Sequence, residues 1–233
     1  MRKQWLITLV VLGLTMAAGG QAMAADSAPL AGRIKPGVTY SGPGTWYDSD
    51  GDGACLFGRG PDDLTVAMNQ TDYEASKACG AHLEVRASNG KTIRVRVDNL
   101  CPSPCRVGQL DLSKQAFAQL ADPVVGEIKV TWQLLSPGMG GMSLRYKDGS
   151  TQWWCAIQAI DHRNPVARLE VQTADGGWRQ LRRTDYNYFT SDDGAGCGGR
   201  IAVTDIYGQR LVSNALPVRP TVKQQTNQQF AQH

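Results

Sequence analysis

An all-β fold of two successive domains is predicted by three observations on this 233-residue chain. Short alternating stretches bounded by Gly, Asp and Pro recur along both halves, and only one segment carries helical spacing. A run of breakers, Ser136-Pro137-Gly138-Met139-Gly140-Gly141, divides the chain past its middle. Composition agrees, since 42% hydrophobic residues can build cores while 26 Gly and 11 Pro supply many turns.

Taken in order, residues 1–24 read as an address. Arg2 and Lys3 precede an apolar stretch from Trp5 to Leu14, and small residues end in Ala22-Met23-Ala24. This is the pattern of a secretory signal peptide, and its apolar run is too short to span a bilayer. The mature chain is therefore expected to be secreted and extracellular, with no membrane partner. Lys and Arg number 24 against 21 Asp and Glu, and loss of Arg2 and Lys3 leaves a single excess positive charge. A nucleic-acid partner is disfavoured on that balance.

Residues 34–136 form the first predicted domain. Ala81–Arg86 and Thr92–Asp98 alternate apolar with polar, and Asn89-Gly90 between them predicts a two-residue hairpin turn. Alternation sets Asp98 on the face of Arg94 and Arg96, and Asn99 on that of Val97. Ser113 caps a short helix to Ala121 bearing Phe117 and Leu120, and Ile128–Leu135 is another strand. The linker spans 137–142. The second domain, 143–216, contains strands at Leu144–Lys147, Trp153–Ile160, Ala167–Thr173, Trp178–Arg182, Arg200–Asp205 and Leu211–Val212, a spacing that predicts a β-sandwich. Trp178 is assigned to its core. The Gln-rich tail, 217–233, is expected to be disordered.

Six cysteines in an exported chain read as three disulfides rather than metal ligands. The preferred pairing is Cys55–Cys79, Cys101–Cys105 and Cys155–Cys197, although sequence alone leaves the connectivity open. Asp48-Ser49-Asp50-Gly51-Asp52-Gly53 fits the front of a calcium loop, but Arg59 stands where a bidentate Glu is required, so no metal is expected. No cofactor is expected either.

Chemistry concentrates in Thr45-Trp46-Tyr47-Asp48, Asp98-Asn99-Leu100-Cys101-Pro102, Gln109-Leu110-Asp111-Leu112-Ser113, Trp153-Trp154 and Asp185-Tyr186-Asn187. In this order the chain resembles the bacterial expansins across nearly its whole mature length. The resemblance implies a double-psi β-barrel related to family-45 glycoside hydrolases, followed by an immunoglobulin-like, cellulose-binding sandwich. It also implies loosening of walls without hydrolysis.

Carried over residue by residue, Asp111 matches the family's essential aspartate, and Thr45 and Tyr47 its polar groove edge. Asn99 is the groove candidate, with Asp98 as the alternative. A carboxyl at a strand-to-helix junction can exchange a proton with a glycosidic oxygen, though Asp is also an ordinary turn residue there. Asp48 stands where the family usually has Gly and the related hydrolases have a base. It keeps open a weak inverting endoglucanase using Asp111 and Asp48.

Trp153, Trp154 and Tyr186 match an aromatic platform, and Lys147 is a secondary carbohydrate contact. Flat rings suit the C–H faces of glucose, but adjacent Trp residues can share one surface only at a bulge or strand end. Cellulose, hemicellulose and peptidoglycan are the implied partners of a monomer. A purely carbohydrate- or peptidoglycan-binding module is the remaining alternative.

Overall fold

A computed structural model describes residues 29–60, 63–194 and 196–233. The expected leader, 1–24, lies outside the described residues. Six strands close a barrel in the order β1-β5-β2-β4-β3-β6. They are β1 Tyr40–Tyr47, β2 Thr65–Asn69, β3 His82–Ala87, β4 Thr92–Cys101, β5 Leu110–Ser113 and β6 Ile128–Leu135. Parallel β1–β5 and β2–β4 pairs lie among otherwise antiparallel neighbours, as in a double-psi barrel. The interior is filled by Val66, Met68, Leu83, Val85, Val95, Val97, Leu110, Leu112 and Trp132, all nearly inaccessible to water. Closure removes every sheet edge from this half of the molecule.

Two helices accompany the barrel. The single turn α1, Gln70–Tyr73, is capped by Asn69, and α2, Lys114–Leu120, by Ser113, whose Oγ accepts from the Ala116 N–H at 3.2 Å. Phe117 and Leu120 on α2 are fully buried, the apolar face that their helical spacing predicts.

The hairpin between β3 and β4 differs from expectation. Its loop is three residues, Ser88 to Gly90, because Ala87 pairs with Lys91 and the Gly90 N–H bonds the Ala87 carbonyl at 2.9 Å. Gly90 takes φ 86°, which fits a type I turn followed by a bulge rather than a two-residue turn.

The second half is a β-sandwich of a four-stranded sheet, β10-β9-β13-β14, on a five-stranded one, β11-β12-β8-β7-β15. Its strands are β7 Met142–Tyr146, β8 Cys155–Ile160, β9 Val166–Gln172, β10 Trp178–Gln180, β11 Arg182–Arg183, β12 Phe189–Ser191, β13 Ile201–Asp205, β14 Arg210–Ser213 and β15 Lys223–Gln228. Leu144, Ile157, Leu169, Phe189, Ile201 and Val203 fill the space between the sheets. Trp178, expected in the core, is instead half-buried on the edge strand β10, with the Arg210 guanidinium 4.2 Å above its ring.

The tail is not disordered. β15 pairs antiparallel with β7, and Phe230 beyond it is 1% exposed in the sandwich core. Its Gln and Thr side chains act as polar bonding groups: Thr226 Oγ1 donates to the Met142 carbonyl at 2.6 Å, and Gln229 Nε2 to the Asp161 carbonyl at 2.8 Å. Polar composition hid a strand whose backbone is satisfied by β7 and whose anchor is a single distant phenylalanine.

The disulfides are Cys55–Cys79, Cys101–Cys105 and Cys155–Cys197. Hydrogen bonds also join barrel to sandwich. Tyr73 OH donates to the Asp185 carbonyl at 2.8 Å, Ser76 Oγ to the Thr184 carbonyl at 2.7 Å, and Gln158 Nε2 to the Cys55 carbonyl at 2.8 Å. These are side-chain-to-backbone bonds in largely buried surroundings, so they fix one half against the other geometrically.

Candidate functional site: a polar cluster on the barrel and three aromatic residues on the sandwich

Parallel pairing of β1 with β5 places Thr45 directly opposite Asp111. The Thr45 hydroxyl donates to Asp111 Oδ1 at 2.6 Å and itself accepts from Gln109 Nε2 at 3.1 Å. Gln109 is held in turn by the Arg106 N–H, which bonds its Oε1 at 2.9 Å. The loop carrying both is anchored by buried Asp72, whose Oδ2 accepts from the Gly108 N–H at 2.9 Å. On the other side of Asp111, the disulfide sulfur of Cys101 lies 3.8 Å from Oδ2. Burial raises the Asp111 pKa, and the Thr45 hydrogen bond opposes that rise. The carboxyl is therefore primed to hold a proton more readily than an exposed aspartate.

Tyr47 and Asn99 form the neighbouring polar pair. Asn99 Nδ2 donates to the Tyr47 hydroxyl at 3.3 Å, while its Oδ1 accepts from the N–H groups of Ala54 (2.8 Å) and Leu100 (2.9 Å). Burial, chiefly, raises the Tyr47 pKa, so the phenol stays protonated and available as a donor. Gly53 is required here: a Cβ on it would lie 2.4 Å from the Asp98 carbonyl oxygen and 2.8 Å from Asn99 Cβ.

Asp98 does not share the outward face of Arg94 and Arg96. The β2–β4 register slips from Val66↔Val97 to Ala67↔Asn99, so Asp98 is the extra residue of a bulge. It is 4% exposed, and its Oδ1 has no hydrogen-bond partner. Burial pushes its pKa up to about 6. Asn99, not Asp98, joins the Tyr47 cluster.

Asp48 also stands apart. Its carboxylate faces Lys114 Nζ at 3.5 Å with the side chain 79% exposed, and Lys114 lies 4.7 Å above the Trp46 ring. The loop after it closes on itself, Asp50 Oδ1 accepting from the Asp52 N–H at 3.0 Å. Among the described residues no group of three or more His, Cys, Asp or Glu is placed to hold a metal ion.

The aromatic residues lie on turns of the sandwich. Trp153 and Trp154 occupy the bend immediately before β8, not the strand itself, and Thr151 Oγ1 accepts from both of their N–H groups, at 3.1 and 3.2 Å. The bend releases the pair from strand alternation. Trp153 is 66% exposed, the most exposed tryptophan among the described residues, and Trp154 is half-buried. Lys147, half-buried, opens the turn that leads into the bend, its N–H bonded to the Ala156 carbonyl at 2.8 Å. Tyr186 is half-buried and tilts against buried Tyr188, ring centroids 6.1 Å apart.

One segment links Asn99 of the polar cluster to Asn187, the residue that follows Tyr186. Asn187 Nδ2, beside Tyr186, donates to the Cys55 carbonyl at 3.2 Å, while Asn99 holds the Ala54 N–H. Asn187 adopts φ 63°, a conformation that Asn tolerates. Gln109 and Asn187 stood beside the candidate residues in the sequence, but no periodicity marks a side chain that acts by bonding a distant backbone group.

Comparison with known proteins agrees with this architecture. Residues 41–132 match a family model described as lytic transglycolase. Expansin-YoaJ of Bacillus subtilis is 37% identical over 190 residues, which cover 78% of this chain and 78% of that protein. The chain belongs to the expansin family. Two crystal structures of the Clavibacter michiganensis expansin, 32% identical, superpose with TM-scores of 0.78 and 0.77, each covering 84% of this chain and all of the other. The first is an Asp-to-Asn variant in complex with cellohexaose, the second the apo protein. As in those expansins, a double-psi barrel is followed by a β-sandwich.

Proposed function

We propose that this expansin is a secreted protein that binds cellulose and other wall glucans along one open strip and loosens the wall without cutting chains. A glucan stacks on Trp153, Trp154 and Tyr186, and continues past Asn187 and Asn99 to Tyr47, Thr45 and Asp111. The observation that carries this reading is the segment Ala54–Cys55, bonded both by Asn99 and by Asn187. The cellohexaose bound to the Clavibacter relative supports the ligand class. Three disulfides and the expected leader support action outside the cell.

Hydrolysis is the less favoured reading because it lacks a base. Inverting cleavage needs two carboxyls roughly 6.5–9.5 Å apart with a water between them. Asp48 is drawn to Lys114 in solvent, and Asn99 is an amide whose oxygen already accepts two N–H bonds. Asp111 alone can lend and withdraw a proton or a hydrogen bond. That suits exchange of glucan–glucan hydrogen bonds for glucan–protein ones, while the platform keeps the protein on its substrate.

The test combines depletion on microcrystalline cellulose, reducing-sugar release and extension of a clamped wall specimen. Binding with extension and no sugar release is expected. Soluble sugar release that disappears in Asp48→Ala would establish an endoglucanase instead. Binding without extension would reduce the protein to a carbohydrate-binding module.

A further inference from the structure

A second concave surface lies on the flank of the barrel. It is a hollow of about 660 Å³ over the outer face of β1, β6 and β3, within the range of ligand sites. Strand register fixes its floor. Pro43 pairs with Lys129, Ser41 with Thr131, and Thr131 with Arg86, so these five side chains stand on one outward face. Arg86 and Lys129 are diagonal neighbours, about 7–8 Å apart or a little less by sheet geometry.

The charges are unequal. Arg106 at the wall is matched by Glu127 at 2.6 Å. The Arg86 and Lys129 side chains are exposed and make no hydrogen bond or ion pair among the described residues. Two uncompensated cations therefore overlook a floor of two hydroxyls and a proline ring. Hydroxyls and an apolar ring match the OH groups and C–H face of a sugar, whereas two free cations match carboxylates. A neutral glucan would leave both cations unanswered.

We infer that this hollow binds a carboxylate-bearing glycan, a run of hexuronate units, with Arg86 and Lys129 reading the acid groups. The inference rests on the proposed action of the protein on wall glycans and deepens it. The hollow also adjoins the polar cluster: Arg106 at its wall donates its N–H to Gln109, and Gln109 donates to Thr45. A neutral chain on the strip and an acidic one on the flank could thus be held by the same barrel.

The test uses the full chain, oligogalacturonate and its methyl ester as titrants, and cellulose depletion as a separate readout. The double variant Arg86→Ser/Lys129→Ser removes the two cations from exposed positions; its thermal unfolding is followed as a control for folding. Oligogalacturonate should bind the wild type at least about tenfold more tightly than the ester, and the double variant should lose about tenfold or more of that affinity, as expected for charge-assisted hydrogen bonds. Cellulose binding should be unchanged, which separates failure here from failure of the strip. Equal affinity for acid and ester, or an undiminished double variant, would overturn the site. Tighter binding of inorganic polyphosphate than of oligogalacturonate would overturn its assignment to a sugar acid.

Discussion

Asn99 in the barrel and Asn187 in the sandwich grip the same two-residue segment, Ala54-Cys55. Asn99 takes the Ala54 N–H at 2.8 Å, and Asn187 gives a hydrogen bond to the Cys55 carbonyl at 3.2 Å. Cys55 is in turn bridged to Cys79. The link is short, buried at one end and made of amides that do not titrate, so it should be insensitive to pH.

Asn187→Gly tests that link without straining the backbone, since glycine accepts the positive φ of this position. The variant should lose about 1–2 kcal/mol of stability, because the Cys55 carbonyl loses one of its partners. It should weaken binding of long cello-oligosaccharides more than short ones. Calorimetric titration across oligosaccharide lengths checks this; an equal loss at all lengths would count against the link as a connector.

Thr45→Val removes the hydroxyl that holds down the Asp111 pKa. The carboxyl should then titrate at higher pH than in the wild type, with burial left unopposed. Carboxyl-carbon NMR titration measures the shift directly. A lower or unchanged midpoint would mean that the hydroxyl does not govern this group.

Two buried groups give opposing dependences of stability on pH. Asp98, with its pKa raised to about 6, is favoured protonated in the folded state, so its contribution is full at low pH and lost as pH rises toward 6. His162, 2% exposed and lowered to about 4, is favoured neutral, so its contribution is full above its unfolded pKa and lost as pH falls from about 6.5 toward 4. Burial is the leading cause for both, and each slope is worth roughly 3 kcal/mol across its window. The wild type should therefore show a shallow profile between pH 4 and 6.5. Asp98→Asn should unmask stability that rises with pH, and His162→Gln stability that falls with it. Denaturant melts at several pH values distinguish these slopes; parallel profiles for all three proteins would refute the assignment.

Phe230→Ala should cost about 3–5 kcal/mol, as expected for emptying a fully buried aromatic position. Truncation after residue 216 should do at least as much damage, since it also strips β15 from β7. Two-probe thermal unfolding is the check. An unchanged sandwich after truncation would restore the expectation of a dispensable tail.

The barrel was legible where side chains repeat with period two and where Ser113 precedes an apolar helical face. Reading stopped where geometry departs from a period. The bulge at Asp98 turns that residue inward, which no alternation count can foresee. The bend before β8 places two adjacent tryptophans outside the strand, and only the constraint that neighbours on a strand face opposite ways hinted at it. β15 carries no apolar residue, because its stability comes from backbone pairing and from Phe230 beyond it. Trp178 illustrates the converse: a large ring in a predicted strand lies at a sheet edge, covered by Arg210 rather than by the core.

The central claim is that one glucan touches both the rings and the polar cluster. It is tested most directly by ¹H–¹⁵N NMR of the protein titrated with cellohexaose. The indole N–H signals of Trp153 and Trp154 and the side-chain amide of Asn99 should move together, with a single dissociation constant. Movement of the indoles with an undisturbed Asn99 amide would show a platform acting alone and contradict the continuous strip.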